Sequence, residues 1–165
     1  MPLAAFTIEH AESTADLVAV RDLFLEYVEW LGIRLDFQDF DAELASLPGK
    51  YAPPQGRLLL ARQEGGYVGV VALRPLDPGI CEMKRLYVRP ASRGRRLGEA
   101  LVDRVIAEAT AIGYCIMRLD TFPHKMPSAV ALYHSRGFVP IAAYCVNPVP
   151  EVAYMERVLR QGPRD

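Results

Sequence analysis

Apolar side chains recur at Leu17, Val20, Phe24, Val28 and Leu31, the spacing of one face of an α-helix, while Arg21, Asp22 and Glu29 fall elsewhere. Ser13, with Asp16 three positions on, gives this helix a capping-box start, and Gly32 gives it a stop. A short strand over 6–9 precedes it. Residues 39–47 read as a second, shorter helix ended by Pro48-Gly49, and the stretch 48–56, with three prolines and two glycines, reads as a loop. Neither side of that loop holds a core alone, so the 165 residues are expected to form one domain.

Beyond Arg57 the pattern turns to strands. Residues 58–62 lead through a Glu64-Gly65-Gly66 turn into 67–73, which is nearly all apolar, valine-rich and suited to the centre of a sheet. Residues 75–79 read as a turn and 80–88 as the next strand. Leu97, Leu101, Val105, Ala109 and Ile112 then mark a helical stripe closed by Gly113. A strand over 115–120, a helix over 126–136 followed by Gly137, and strands over 138–144 and 152–159 complete the chain. Strand, helix and strand in succession around residues 80–120 demand a parallel pair, while the first half suggests α+β. The expected fold class is therefore α/β of the α+β type: a mixed, mostly antiparallel central sheet flanked by about four helices.

With 51% hydrophobic and 24% charged residues the chain can build a core and still face water, which excludes a disordered reading. A net charge of -1, from 19 Lys+Arg against 20 Asp+Glu, argues against a broad polyanion-binding surface, so no nucleic-acid partner is expected. No apolar run approaches the roughly 20 residues that span a bilayer, and no membrane partner is expected. The first 12 residues lack a basic segment followed by an apolar core, so no signal peptide is read there. Cys81, Cys115 and Cys145 lie in apolar or strand-like stretches without C-x-x-C spacing, and are expected as buried free thiols in a reducing, cytoplasmic compartment. His10, His124 and His134 are scattered, and no metal site is expected.

The most informative junction is Arg93-Gly94-Arg95-Arg96-Leu97-Gly98, where a strand gives way to a helix. A loop of small and basic residues opening a helix aims several backbone N–H groups at one spot near the positive end of the helix macrodipole, which suits a phosphate. A solvated basic turn is the competing reading. Just before it, alternation puts Glu82, Lys84, Leu86 and Val88 on one side of their strand and Cys81, Met83, Arg85 and Tyr87 on the other, if no bulge interrupts the count. Glu82 then either pairs with Lys84 or Arg85, or lines a cleft as a general base with its pKa raised by partial burial. Tyr133 is either a buried tyrosine bonded through its hydroxyl or a proton donor to a leaving group of high pKa, as suits a phenol of pKa about 10. His134, about 100° round the same helix, is expected to face solvent.

The runs from Glu82 to Val88, from Arg93 to Gly98, and Ala129-x-x-Leu132-Tyr133-x-x-x-Gly137-Phe138 together resemble the GNAT superfamily of acyl-CoA-dependent N-acyltransferases, in the family's order. The resemblance implies a sheet splayed between its fourth and fifth strands, with acetyl-CoA as acyl-donor cosubstrate in the wedge. It implies that backbone groups of Leu86 and Val88, with Tyr87 between them, pair with the pantetheine, and that the amides of Arg93, Gly94, Arg95, Arg96, Leu97 and Gly98 hold the pyrophosphate. Tyr133 falls at the family's general-acid position and Glu82 at that of the base in some members. A homodimer through the last strands is a further implication. Two positions depart from the pattern: Arg96 stands where the family usually has Gly, and Met126 where an Asn often starts the last motif's helix.

The expected partner is a small-molecule or peptide amine, selected by the first two helices, the 51–56 loop and the segment 144–154, which includes the turn Asn147-Pro148-Val149-Pro150. Glu26, Glu29, Asp36, Asp39, Asp41 and Glu43 form an acidic bias that either attracts a cationic amine or is an ordinary solvated face. A non-catalytic acyl-CoA-binding sensor is the reading from a different functional class.

Overall fold

Ser13 Oγ accepts a hydrogen bond from the amide of Asp16 at 3.0 Å, while Asp16 Oδ2 takes the amide of Ser13 at 3.2 Å. In the computed structural model, which describes residues 5–32, 39–94, 96–147, 149 and 151–160, this reciprocal cap opens α1 (Thr14–Leu31), and Gly32 closes it at φ 70°. The order of elements is β1 (Phe6–His10), α1, α2 (Phe40–Ala45), β2 (Arg57–Gln63), β3 (Gly66–Asp77), β4 (Ile80–Val88), α3 (Leu97–Ile112), β5 (Ile116–Thr121), α4 (Pro127–Ser135), β6 (Val139–Ile141) and β7 (Ala153–Val158). The strands lie in the order β1-β2-β3-β4-β5-β7-β6, antiparallel throughout except for the parallel pair β4/β5. The expected mixed, mostly antiparallel sheet is thus observed.

Two strands end where the sequence does not announce it. β3 runs on through Pro75 to Asp77, although 75–79 reads as a turn. It has by then outrun β2, whose pairing stops at Arg57 with Leu73, so the missing proline N–H is not needed on that side. β6 stops at Ile141 rather than continuing to Tyr144, because the chain leaves the sheet there and carries Tyr144 back toward Glu82.

Each face of the sheet carries its own core. Val20, Leu23 and Phe24 of α1 pack on Leu58, Leu60, Val70 and Ala72; Leu97, Leu101 and Val105 of α3 pack on Leu59, Val71, Leu73 and Met117 on the other face. Burying one such side chain is worth about 1.5–3 kcal/mol. Gly69 lets α3 approach: a Cβ there would lie 3.0 Å from Leu97 Cδ2 and 3.1 Å from Leu101 Cδ1, so the start of α3 is seated beside the end of β4.

β4 is irregular at Arg85, which has φ 61°. Tyr87 lies opposite Val70 and Lys84 opposite Ala72, so Arg85 and Leu86 together face Val71 in a β-bulge. The expected alternation is corrected accordingly. Cys81, Met83, Leu86 and Val88 face the α3 core, whereas Tyr87 packs with the α1 core, and Glu82, Lys84 and Arg85 meet charged partners away from the α3 side. A left-handed arginine costs on the order of 1–3 kcal/mol and persists only where its surroundings over-determine it. Glu43 of α2 does so, accepting from Arg85 Nε at 3.0 Å and Nη2 at 3.2 Å, while Phe40 lies under the guanidinium at 5.3 Å.

β4 and β5 pair only from Ile80 with Ile116 to Glu82 with Arg118. Past that point the strands part, and β4 from Met83 to Val88 has no strand partner on its β5 side among the described residues. All three cysteines are free, but only Cys81 is buried; Cys115 is half-buried, and Cys145 is exposed because it follows the chain out of the sheet. Among the described residues no helix is long and apolar enough to cross a membrane.

Glu43→Ala would take from Arg85, whose side chain is 3% exposed, the carboxylate that meets two of its nitrogens. Denaturant unfolding should then show a loss of about 3 kcal/mol, and a loss under 1 kcal/mol would contradict this role.

Candidate active site

Where β4 and β5 separate, a groove with a volume of about 340 Å³ opens between Leu86, Tyr87 and Val88 of β4, Gly98 of α3, and Pro127, Ser128, Ala129 and Leu132 of α4. Its roof is Trp30 from α1. Arg93 stacks on that indole at 4.7 Å from one lip of the groove and Lys125 at 5.4 Å from the other. Arg93 is held by donating from Nε to the carbonyl of Val88 at 2.9 Å. The amides at the start of α3 have no carbonyl one turn earlier within the helix, so this end of the groove offers donors to an anion.

Arg96 caps α3 in the left-handed region at φ 59°, and Gly94 precedes it at φ 81°. An arginine here therefore takes up the glycine-like conformation. A Cβ built on Gly94 or Gly98 would meet no protein atom within 4 Å. Leu97 contributes its side chain to the core rather than to the groove, which leaves only its backbone for a ligand. Arg95 lies outside the described residues.

The groove narrows to a passage of about 20 Å³ lined by Leu86, Met126, Leu119, Asp120 and Tyr133 among others. Tyr133 is buried against Phe138, with ring centroids 5.8 Å apart, and its hydroxyl has no hydrogen-bond partner among the described residues. Burial, reinforced by Tyr27 and Asp120, pushes its pKa well above the ordinary phenol value, so it stays protonated. His134 is exposed, as expected.

Lys84, Arg85 and Asp120 line both this passage and a charged cavity of about 190 Å³ on its far side, which also includes Glu82, Arg74, Glu43 and Tyr144. Glu82 is only 2% exposed. Its Oε1 accepts from Arg74 Nε at 2.8 Å and its Oε2 from the Tyr144 hydroxyl at 2.5 Å, while Lys84 Nζ lies 3.9 Å away and 3.7 Å from Asp120. Burial alone would raise the Glu82 pKa, as the sequence reading expects, but Lys84, Arg74 and Tyr144 outweigh it and hold the carboxyl below its usual value. Glu82 is consequently an ionised carboxylate at neutral pH. Tyr144 is fixed further by Tyr154 at 5.2 Å and by Arg118 at 5.5 Å.

Leu86, Tyr87, Val88, Arg93 and Gly98 thus meet at one groove, while Tyr133 and Glu82 lie on successive cavities joined through Lys84, Arg85 and Asp120. Trp30, Arg74, Lys125 and the role of Tyr144 escape the sequence reading, since no motif ties them together. Two members of the acidic bias on the first two helices are engaged within the protein, and a third, Asp39, lines the cavity beside α2. Glu43 is engaged by Arg85 and Tyr51, and Glu26 by Arg89 at 2.8 Å. Asp36, Pro148 and Pro150 lie outside the described residues.

Residues 17–138 match the model of the Acetyltransferase (GNAT) family. An uncharacterized N-acetyltransferase from Schizosaccharomyces pombe is 48% identical over 142 residues, covering 85% of this chain and 86% of its own. An acetyltransferase of the GNAT family from Staphylococcus aureus superposes with a TM-score of 0.79 at 21% identity, covering 94% of this chain and all (100%) of its own. A Salmonella typhimurium acetyltransferase solved with its cofactor acetyl-CoA superposes with a TM-score of 0.67 at 22% identity, covering 97% of each chain.

The charged cavity yields a pH-dependent prediction. Because the Glu82 pKa is lowered in the folded state, its stabilisation is present above the ordinary value of 4.5 and is lost as pH falls below it. Glu82→Gln should be less stable than the parent by about 3 kcal/mol at pH 7, and the gap should close on acidification below pH 4.5. Unfolding free energies measured across pH check this, and a gap that is constant with pH would contradict it.

Proposed function

The chain belongs to the GNAT acetyltransferase family, and on that footing we propose that this enzyme transfers an acetyl group from acetyl-CoA to a primary amine by direct attack in a ternary complex. The observation that carries the reading is the stretch of β4 that β5 leaves unpaired, lying along a groove that ends at the amides of α3. Naming of the relatives as N-acetyltransferases favours catalysis over a sensing role.

The groove's residues fit such a cosubstrate. Backbone groups of Leu86 and Val88 on the unpaired side of β4 suit an amide-bearing pantetheine arm, as an added strand would use them. The open space over Gly94 and Gly98 lets a diphosphate come close to their backbone amides. Arg93 and Lys125 on either lip of the groove add positive charge there. When bound, acetyl-CoA supplies an activated thioester carbonyl.

Tyr133, neutral across the working range, donates its proton to the departing sulfur as the C–S bond breaks and the N–C bond forms. Glu82, already ionised, is a weak base: it does not deprotonate a free ammonium but takes the proton shed by nitrogen once that nitrogen has bonded to the acyl carbon. The amine therefore arrives neutral, and rates rise with pH through the amine's own pKa. The free cysteines support a reducing, cytoplasmic setting.

Tyr133→Phe should lose roughly 10²-fold in kcat for amine-dependent thiol release while keeping its affinity for coenzyme A. Retained turnover would remove Tyr133 from the mechanism. Gly98→Ala meets no protein atom and improves helix propensity, so it should gain about 0.5 kcal/mol of stability while binding coenzyme A roughly tenfold more weakly. Calorimetry with unchanged affinity would contradict the diphosphate assignment.

A further inference from the structure

Three cations line the charged cavity, and they are not equivalent. Arg85 spends two of its nitrogens on Glu43, and its side chain is 3% exposed. Lys84 sits between Glu82 and Asp120 and is 6% exposed. Arg74 is 27% exposed and uses only Nε, toward Glu82. Its two terminal nitrogens have no partner among the described residues. It lines the charged cavity and also the adjoining cavity of about 250 Å³ between α2 and the 46–51 turn, so these donors stand where the two spaces meet. A guanidinium edge in this setting suits a carboxylate, whose two oxygens match the spacing of its donors.

The charges lining the cavity balance. Glu43, Glu82 and Asp120 stand against Arg74, Lys84 and Arg85. A polycation gains nothing from such a wall and meets the open donors of Arg74. An amine that carries a carboxylate gains where a polycation does not: its carboxylate lies toward Arg74, and its neutral amino group can donate an N–H to Asp120, which borders the Tyr133 passage, while keeping its lone pair for attack. We propose that the acceptor is a small amine that carries a carboxylate, of the amino-acid type, and that Arg74 binds that carboxylate. This rests on the acetyl-transfer reading above.

The test compares acceptors that differ only at the carboxyl group. Thiol release from acetyl-CoA is measured with a panel of free L-amino acids, their methyl esters and amides, and spermidine, beside calorimetry with coenzyme A. The parent protein should prefer at least one free acid over its ester and amide by tenfold or more in kcat/KM. Arg74→Lys keeps a cation beside Glu82 but loses the planar fork; it should raise KM for the free acid about tenfold, leave KM for the ester within twofold, and leave coenzyme A affinity unchanged. The acid-to-ester comparison in the parent stands even if the variant folds poorly. Esters, amides or spermidine used as well as or better than every free acid would overturn the proposal, as would an Arg74→Lys variant that keeps the full preference. Coenzyme A binding with no thiol release from any amine would overturn the transfer reading and this proposal together. Absence of coenzyme A binding would instead fault the groove.

Discussion

The parting of β4 from β5 after Glu82 and Arg118 is the constraint on which the rest of the molecule depends. A parallel pair that zipped to its end would satisfy its own backbone and leave nothing for a ligand. Here the strands share three residue pairs and then diverge, so the backbone groups that Met83 to Val88 turn away from β3 must find partners elsewhere. The same divergence brings the start of α3, seated closely over Gly69, to one end of the gap and Tyr133 of α4 to its floor.

The gap is held open from its base by charge. Glu82, Lys84 and Arg85 lie close together on β4 at the point of divergence, and each meets an opposite charge from another element: Arg74 on β3, Asp120 on β5 and Glu43 on α2. Buried ions are poor contributors to stability but are strongly destabilising when one partner is lost, so such a network favours one arrangement over its neighbours. The bulge at Arg85 belongs to this network. It sets Arg85 on the same side as Glu82 and Lys84, away from the α3 core, and returns Leu86 and Val88 to that core, which leaves their backbone at the groove.

Most of the architecture was legible because its signals are local. The Ser13/Asp16 cap, the stripe of Leu97, Leu101 and Val105, and the strand-helix-strand unit around the Arg/Gly loop each announce themselves in a few residues. Residues on contiguous motifs, such as Val88, Gly98 and Tyr133, could be assigned to the candidate site in the same way, and they line its groove and passage. What was missed depends on tertiary structure. A positive φ at an arginine leaves no mark in a hydrophobic pattern, so the faces of β4 were assigned as if it were regular. Trp30 and Lys125 meet at Arg93 only through the fold, and Arg74 reads as one more polar residue near a strand end. Tyr144 passes for a strand residue until its hydroxyl is seen on Glu82. The pairing of Glu43 and Glu26 was not legible because their cationic partners, Arg85 and Arg89, lie far along the chain.

Amide hydrogen exchange of this protein with and without coenzyme A tests the central claim most directly, since it reads the backbone of β4 itself. New protection within Met83–Val88 and at the first turn of α3, with little change in β2 or β3, is the expected result. Coenzyme A that binds and leaves the exchange of those β4 amides unaltered would contradict it.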